Sequence, residues 1–199
     1  GRCAFCEEPI SFQYPFVELL SGLSAVLAYT QNDLPVAIVL YVFACCLIVI
    51  SFIDIKYYII PDVITYPGML IAVLFAIGNH YYHFFGEPIV TSIYQAFWGL
   101  VLGGGFLLFI SEVYFRLRKK VGLGFGDIKL MTMVGVLFGP ACAYYTIFIG
   151  SFCGSIIGVT LILLARGQMA RPLPFGPYLA LGAYLYLFAP IDWQRLMGI

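Results

Sequence analysis

The stretch from Leu34 to Ile53 is apolar throughout and holds nothing more polar than Ser51. A helix needs about 20 predominantly apolar residues to cross the hydrocarbon core of a bilayer, and this stretch meets that requirement by itself. The rest of the chain agrees, because 62% of its 199 residues are hydrophobic, 10% are charged and the mean hydropathy is +0.99. Soluble domains usually carry about 25% charged residues. The sequence therefore predicts a polytopic membrane protein.

The apolar runs predict an all-α fold, a polytopic helical bundle with about seven transmembrane helices joined by short polar or proline-bearing turns. Residues 1–15 are polar and rich in turn formers, and we expect them to lie outside the hydrocarbon. Residues 16–199 would form the membrane-embedded domain. The chain begins with Gly1 rather than Met, so we expect part of the natural N-terminus to be missing. The predicted spans are Phe16–Tyr29, Leu34–Ile53, Val63–Gly78, Ile89–Leu117, Ile128–Phe138, Ala141–Ala165 and Gly176–Phe188.

The basic residues assign an orientation to these spans, because Lys and Arg concentrate in the cytoplasmic loops of membrane proteins. If the segment that carries Cys3 is cytoplasmic, nine of the ten basic residues lie on the cytoplasmic side and only Arg195 lies on the other. The same assignment places Asp54 and Asp127 at the cytoplasmic boundary. The formal net charge is zero and no basic stripe with interleaved aromatics occurs, which excludes nucleic acid as a partner. The lipid bilayer is the expected partner instead.

Glycines spaced four residues apart indicate where the helices pack. Gly150, Gly154 and Gly158 fall on one face of a helix, and Gly99 precedes Gly103 by the same step. Small residues at this spacing let two backbones approach closely, which matters in lipid because no hydrophobic force drives the helices together. We therefore expect these faces to form helix contacts rather than substrate contacts.

Two aspartates stand where an apolar run meets a loop. Asp54 directly follows the apolar run Leu34–Ile53, and Asp127 follows three alternating glycines in G-L-G-F-G-D-I-K-L, Gly122–Leu130. An ionised carboxylate at the edge of hydrocarbon is costly unless it is paired, hydrated or protonated, so such acids indicate a functional site. Two of them suit an aspartyl hydrolase, since one carboxylate takes a proton from water while the other gives one to the leaving amine.

Structural explanations for these acids stay open at this point. Asp127 suits a helix N-cap, because Asp is favoured there. Asp54 fits the last turn of a helix entering a water-exposed loop, although an acid at a helix C-terminus is unfavourable with the helix dipole. Asp62 follows Pro61 and suits the cap of the next helix.

Residues near Asp127 are candidates for shaping a site. Gly124 and Gly126 allow the backbone to pass close to an extended substrate, or to adopt φ > 0 without a Cβ penalty. Lys129 lies two positions beyond Asp127, on a different helix face, and we expect it to anchor in the lipid headgroups. The Pro174–Pro177 segment is expected to begin a helix near the site.

Two other classes of membrane protein fit parts of this pattern. A proton- or cation-coupled transporter also places acids in its spans, and Asp54 and Asp127 would then be its coupling groups. Such transporters usually contain internal repeats and bind near the midplane, and the sequence indicates neither. A structural membrane subunit would explain the glycines but would leave the two acids without a role.

Four segments carry recognisable motifs, and in chain order they are C-A-F-C-E-E-P-I-S-F-Q-Y-P-F-V-E (Cys3–Glu18), S-F-I-D-I-K-Y-Y-I-I-P-D-V-I-T (Ser51–Thr65), G-L-G-F-G-D-I-K-L (Gly122–Leu130) and P-F-G-P-Y-L-A (Pro174–Ala180). Together they resemble the type IV prepilin peptidases, membrane aspartyl proteases with a G-x-G-D signature. The resemblance runs over nearly the whole chain in order, which is far more specific than a lone G-x-G-D.

The resemblance implies that Asp54 and Asp127 are the catalytic aspartates of a multi-pass endopeptidase in the bacterial inner membrane, with its active site facing the cytoplasm. Such enzymes, which serve type IV pili and type II secretion, remove the short basic leader from prepilins or pseudopilins and need no cofactor for that step. Many members also methylate the new N-terminal residue with S-adenosylmethionine. We expect the two carboxylates to share one proton, since like charges a few ångströms apart do not both ionise cheaply. The residues expected to shape the site or contact substrate are Gly124, Gly126, Lys129 and Asp62.

The chain also departs from the family pattern. The family usually has Glu-Gly-Met-Gly ahead of the variable residue of the signature, where this chain has V-G-L-G, Val121–Gly124. Cys3 and Cys6 form one C-x-x-C pair where the family has two, and a closed structural zinc site usually takes four ligands. Residues 1–15 would then be the remainder of a cytoplasmic cysteine-bearing segment. We therefore expect zinc binding and S-adenosylmethionine-dependent methylation only in the full-length protein.

Overall fold

A computed structural model describes residues 11–90, 92–120, 122–164 and 173–189 of the chain. Every regular element in these ranges is helical, so the predicted all-α fold is confirmed. In chain order the elements are α1 (Gln13–Gln31), α2 (Leu34–Tyr57), α3 (Asp62–Tyr82), α4 (Ile93–Leu100), a π-helical turn (Val101–Gly105), α5 (Phe106–Arg118), α6 (Phe125–Leu164) and α7 (Gly176–Phe188).

Four segments of the described chain are long and apolar enough to cross a membrane, and they are Leu34–Tyr57, Asp62–Tyr82, Ile93–Arg118 and Phe125–Leu164. The protein is therefore a multi-pass membrane protein. The third of these segments joins α4, the π-helical turn and α5, and it coincides closely with one predicted span. Neither α1 nor α7 is among the four, so the count of seven spans stays a prediction.

The longest helix, α6, turns back on itself at Gly139. This glycine has φ 84° and ψ −177°, a conformation that is strained for any residue with a side chain. On a straight helix Asp127 and Gly154 would lie about 40 Å apart at 1.5 Å per residue, yet both line one cavity. The second arm of α6 therefore returns toward the start of the first arm. The predicted break between Phe138 and Ala141 is confirmed.

The first arm of α6 lies at the centre of the bundle. Leu130, Met131 and Val134 are almost completely buried. The helices α3 and α4 and the π-helical turn pack on α6, and α7 packs against both α6 and α2. As a result, the two helices that carry Asp54 and Asp127 are joined through α7.

Four of the five glycines predicted to be packing points lie at helix contacts, whereas Gly158 has only the Leu173 side chain nearby, at 3.8 Å from an added Cβ atom. A Cβ atom at Gly99 would overlap the backbone of Gly135, and one at Gly103 would overlap the backbone of α6. On the second arm of α6, Gly150 and Gly154 lie against α7 and the residue before it. Close backbone approach therefore brings α4 onto the first arm of α6 and α7 onto the second.

Candidate active site

Asp54 lies in the last turn of α2, which continues to Tyr57 rather than ending at Ile53 as predicted. The last-turn position that its structural explanation predicted is therefore confirmed, but the residue is only 5% exposed and does not itself face water as that explanation expected. Its Oδ2 accepts a hydrogen bond, at 3.0 Å, from the backbone N–H of Gly176, the first residue of α7. A helix N-terminus presents unpaired N–H groups and the positive end of the helix dipole. The start of α7 therefore holds this carboxylate in place.

Asp127 lies in the first turn of α6, which begins at Phe125 rather than at Ile128 as predicted. It is therefore inside the helix, and the N-cap interpretation is wrong. The residue is 7% exposed. Its backbone N–H donates to the carbonyl oxygen of Gly124 at 3.2 Å, and a Cβ atom at Gly124 would lie 3.0 Å from Asp127 Oδ2. Because Gly124 has no side chain, it leaves room for the Asp127 carboxylate next to the first turn of α6.

The structure brings the two aspartates together. Both line one cavity of about 820 Å³. The cavity wall is mixed in character, with apolar residues from the loops and several polar side chains. Those polar side chains belong to Tyr58, Asp62, Lys129, Ser151 and Ser155. A cavity of this volume has room for several water molecules, since one water takes up about 30 Å³.

Ile60 lies between the start of α6, which carries Asp127, and the start of α7, which donates a hydrogen bond to Asp54. It belongs to the loop between α2 and α3 and is 6% exposed. A Cβ atom at Gly126, beside Asp127, would lie 2.9 Å from Ile60 Cβ, and one at Gly176, bonded to Asp54, would lie 3.2 Å from Ile60 Cδ1. Sequence reasoning missed this residue, although an apolar side chain in a short loop between two acids was a signal that the loop packs inward.

The alternating glycines near Asp127 avoid steric overlap rather than adopt an unusual backbone. The interpretation that they take φ > 0 is wrong, because within the described part of the chain only Gly139 is a glycine with positive φ. Instead, a Cβ atom at Gly122 would overlap the ring of Tyr114, and one at Gly126 would meet the side chain of Ile60. Their role in the structure is close packing around the cavity.

Asp62 and Lys129 form an ion pair at the cavity wall, with 2.6 Å between Lys129 Nζ and Asp62 Oδ1. Asp62 is the first residue of α3, its N-cap is Pro61, and that end has no side-chain capping hydrogen bond. The capping interpretation of Asp62 is therefore wrong. The Lys129 side chain is 13% exposed and paired within the protein, so the expectation that it anchors in lipid headgroups is wrong as well.

The cysteine pair Cys3 and Cys6, predicted to be part of a zinc site, lies outside the described residues. Among the residues that the structure does describe, no group of three or more His, Cys, Asp or Glu side chains is arranged to hold a metal ion. The aspartate cavity itself contributes two carboxylates and the paired Asp62. The described residues therefore do not fit a zinc site, and no chemical step is assigned to a metal.

Comparison with known proteins agrees with this geometry. The model of the type IV leader peptidase family matches residues 41–159, and the model of the bacterial Peptidase A24 N-terminal domain matches residues 1–32. The chain belongs to the type IV leader peptidase family. The match to the leader peptidase model includes both Asp54 and Asp127. Membership of this family does not favour the transporter or the structural subunit.

Curated relatives extend the match to nearly the whole chain. The chain is 31% identical over 190 residues to a prepilin leader peptidase/N-methyltransferase of Aeromonas salmonicida, covering 94% of the chain and 62% of that protein. The protein of the same name from Pseudomonas aeruginosa is 31% identical over 188 residues, with the same coverage. One from Burkholderia pseudomallei is 30% identical over 200 residues, covering 100% of the chain and 62% of that protein. The chain thus spans 62% of the length of these relatives. No solved structure matches it significantly.

The hydrogen bond from Gly176 to Asp54 was not foreseen from the sequence. The P-F-G-P segment predicted a helix start near the site, and α7 does begin at Gly176. The first N–H groups of a helix have no partner within that helix. This was the available signal, because a helix start close to a buried acid places such a donor where a carboxylate can accept from it.

Proposed function

We propose that this leader peptidase family member is an aspartyl endopeptidase that removes the leader peptide from type IV prepilins or pseudopilins. The observation that carries the proposal is the joint placement of Asp54 and Asp127, which are buried at the ends of two different helices and line one cavity. The loop after α2, the residues that lead to Asp127 and the residues just before α7 line that cavity from several sides. This arrangement supports the carboxyl pair as the reactive groups.

In the proposed mechanism the two carboxyl groups share one proton. The ionised group takes a proton from a water molecule, whose oxygen attacks the scissile carbonyl carbon, while the protonated group polarises the carbonyl oxygen. The tetrahedral intermediate then collapses, the C–N bond breaks, and the departing nitrogen takes up a proton from the acid. The products are a free carboxylate on the leader and a free amine on the mature chain. No acyl-enzyme forms.

The proposed location is the bacterial inner membrane, with the cavity open to the cytoplasm. The positive-inside rule supports this orientation, because nine of the ten basic residues fall on the side of the two aspartates. The loop Lys119–Gly124 contains two lysines and leads directly to Asp127. A cytoplasmic cavity would receive the basic leader of a substrate whose apolar part remains in the bilayer.

We propose N-methylation of the new N-terminus only for a chain as long as the curated relatives. It is supported by the names of the curated relatives, which are prepilin leader peptidase/N-methyltransferases. The same holds for zinc, for which Cys3 and Cys6 would supply two ligands of a larger set. Neither methylation nor zinc takes part in the proposed peptidase step.

The test is cleavage of a purified prepilin that carries its leader, in detergent, by the intact chain and by Asp54→Asn and Asp127→Asn. Each substitution removes one proton-transferring group without changing its shape, so we expect cleavage to fall by at least about 100-fold in each variant. Circular dichroism and size-exclusion chromatography would show that both variants remain folded.

Asp33→Asn is the matched control, because Asp33 precedes α2 at the other end of that helix and is not among the residues of the cavity. We expect this variant to cleave as the wild type does. Full cleavage by Asp54→Asn or by Asp127→Asn would contradict the aspartyl mechanism. Absence of cleavage by the wild-type chain, with several prepilins and in a full-length version, would contradict the proposed activity itself.

A further inference from the structure

The ion pair of Asp62 and Lys129 joins the two parts of the chain that carry the aspartates. Lys129 follows Asp127 closely in the first turns of α6, and Asp62 starts α3, the helix that comes after Asp54 and its loop. The contact between Lys129 Nζ and Asp62 Oδ1 therefore connects the segment that contains Asp54 directly to the segment that contains Asp127. If α6 shifted relative to α3 at this contact, the distance between the carboxyl groups of Asp54 and Asp127 would change.

The two partners differ in their access to water. The Lys129 side chain is 13% exposed and the Asp62 side chain is 55% exposed. Lys129 Nζ also lies 4.5 Å from the ring centroid of Tyr66 and 5.1 Å from that of Phe125. The Lys129 side chain is therefore mostly buried, its ammonium contacts two aromatic rings and has Asp62 as its counter-ion, whereas the Asp62 carboxylate keeps much of its hydration.

We propose that Asp62 and Lys129 are positioning residues, which hold the start of α6 against the start of α3 and so keep Asp54 and Asp127 at their working separation. This inference rests on the proposed peptidase function. Both side chains line the cavity, but each charge is directed at the other. They act on the reaction through the two helices and do not read the substrate.

The burial difference leads to an asymmetric test with Asp62→Asn, Lys129→Met and the double variant. Asp62→Asn leaves the Lys129 ammonium without its counter-ion. We expect that ammonium to move toward water and to shift the start of α6 with it. We expect kcat for a purified prepilin to fall by about tenfold, with KM changed by less than about twofold, because the ammonium of the mostly buried Lys129 side chain loses its counter-ion and no longer fixes the start of α6 to the start of α3.

Lys129→Met leaves a carboxylate that water already solvates, and the methionine fills the space between the rings of Tyr66 and Phe125. We expect kcat to fall by less than about threefold, as for the loss of an exposed charge. In the double variant no charge is left unpaired, so we expect Lys129→Met to restore kcat of the Asp62→Asn chain to within about threefold of the wild type. A second substitution that repairs the first is the signature of positioning.

The exposed pair Glu112 and Arg116 on α5 supplies the control. Its side chains lie 2.7 Å apart but are 54% and 75% exposed, so Glu112→Gln and Arg116→Met should leave kcat and KM unchanged.

Three outcomes would overturn the inference while the peptidase function stands. Asp62→Asn could cleave as the wild type does. The double variant could cleave as poorly as Asp62→Asn and have a raised KM, which would mean that Asp62 binds a cationic group of the substrate. Lys129→Met alone could raise KM strongly, which would make Lys129 a reader of a substrate anion.

Thermal unfolding of the same variants in detergent separates this inference from the proposed function. If the wild-type chain cleaves no prepilin, the proposed function fails. The unfolding temperatures then show whether the ion pair couples α3 to α6. An unfolding temperature that is lower in Asp62→Asn, and that returns to the wild-type value when Lys129→Met is added, would support the coupling of α3 to α6. Equal unfolding temperatures in all variants would overturn that coupling too.

Discussion

Gly176 supplies the candidate active site with a backbone N–H and with space that a side chain would fill. The N–H donates to Asp54 Oδ2, and Ile60 packs over the same position. This single residue therefore orients one carboxyl group and sets how closely the loop after α2 approaches α7. Hydrogen-bond donors held rigidly by the backbone keep their direction, which is what a proton-transferring group requires.

Gly176→Ala should therefore lower cleavage while leaving the fold intact. The added Cβ would lie 2.7 Å from Asp54 Oδ2 and 3.2 Å from Ile60 Cδ1, so the carboxylate has to move. Displacement of a reacting group by about 1 Å costs up to about 100-fold in rate. We expect kcat for a prepilin to fall by about that factor.

The matched control is Gly78→Ala, since nothing lies within 4 Å of a Cβ atom at Gly78. That variant should cleave at the wild-type rate. If Gly176→Ala also kept the wild-type rate, the position of Asp54 would not depend on the start of α7.

At the scale of helices, α6 performs two tasks with its two arms. The first arm carries Asp127 into the centre of the bundle, and the second arm returns past Gly139 to pack against α7. Of Gly150, Gly154 and Gly158, Gly150 lies closest to α7, where a Cβ atom would lie 3.1 Å from the carbonyl oxygen of Tyr178. Because α7 also holds Asp54, this contact links the packing of α6 to the site.

The series Gly150→Ala, Gly154→Ala and Gly158→Ala should show a graded loss of stability. A Cβ atom at Gly150 would press on backbone, whereas the nearest atoms lie at 3.4 Å for Gly154 and at 3.8 Å for Gly158. We expect Gly150→Ala to lower the free energy of unfolding by about 1–3 kcal/mol, as overpacking usually does. The other two should be neutral, or more stable by about 0.5–1 kcal/mol, since alanine favours a helix over glycine.

Thermal unfolding in detergent measures this series. Equal unfolding temperatures for the three variants would mean that the second arm of α6 does not pack closely against α7.

At the scale of the whole molecule, the loops around the cavity lie at one end of the bundle. The loops after α2 and α5 and the residues before α7 all line the cavity. The helix α3 spans about 30 Å at 1.5 Å per residue, so the loop that follows it, 83–90, lies at the opposite end. The bundle is therefore long enough to expose the two ends on different sides of a membrane.

Cysteine labelling should place these ends on opposite sides. In a chain whose six cysteines are replaced by alanine, Lys120→Cys and Gly86→Cys each introduce one exposed thiol. We expect a membrane-impermeant maleimide to label Gly86→Cys from the periplasmic side, and Lys120→Cys only after the inner membrane is opened, as the positive-inside rule requires. Labelling of both from one side would contradict the proposed topology.

The sequence by itself determined the class of protein, the break in α6 and the two aspartates. Apolar runs as long as Leu34–Ile53 have few alternatives to spanning a membrane, and Gly139 followed by Pro140 interrupts a helix in almost any context. Asp54 and Asp127 were visible because an acid next to hydrocarbon is costly without a role. These signals are local, so they can be read along the chain.

Only the tertiary structure decided which groups meet the two aspartates. The hydrogen bond from Gly176, the position of Ile60 between two glycines, and the pairing of Lys129 with Asp62 all join segments far apart in the sequence. Their partners depend on how α6 turns back and on how α7 packs between α2 and α6. Periodicity along one helix contains no information about a contact of that kind, because it is set by the packing of the whole bundle.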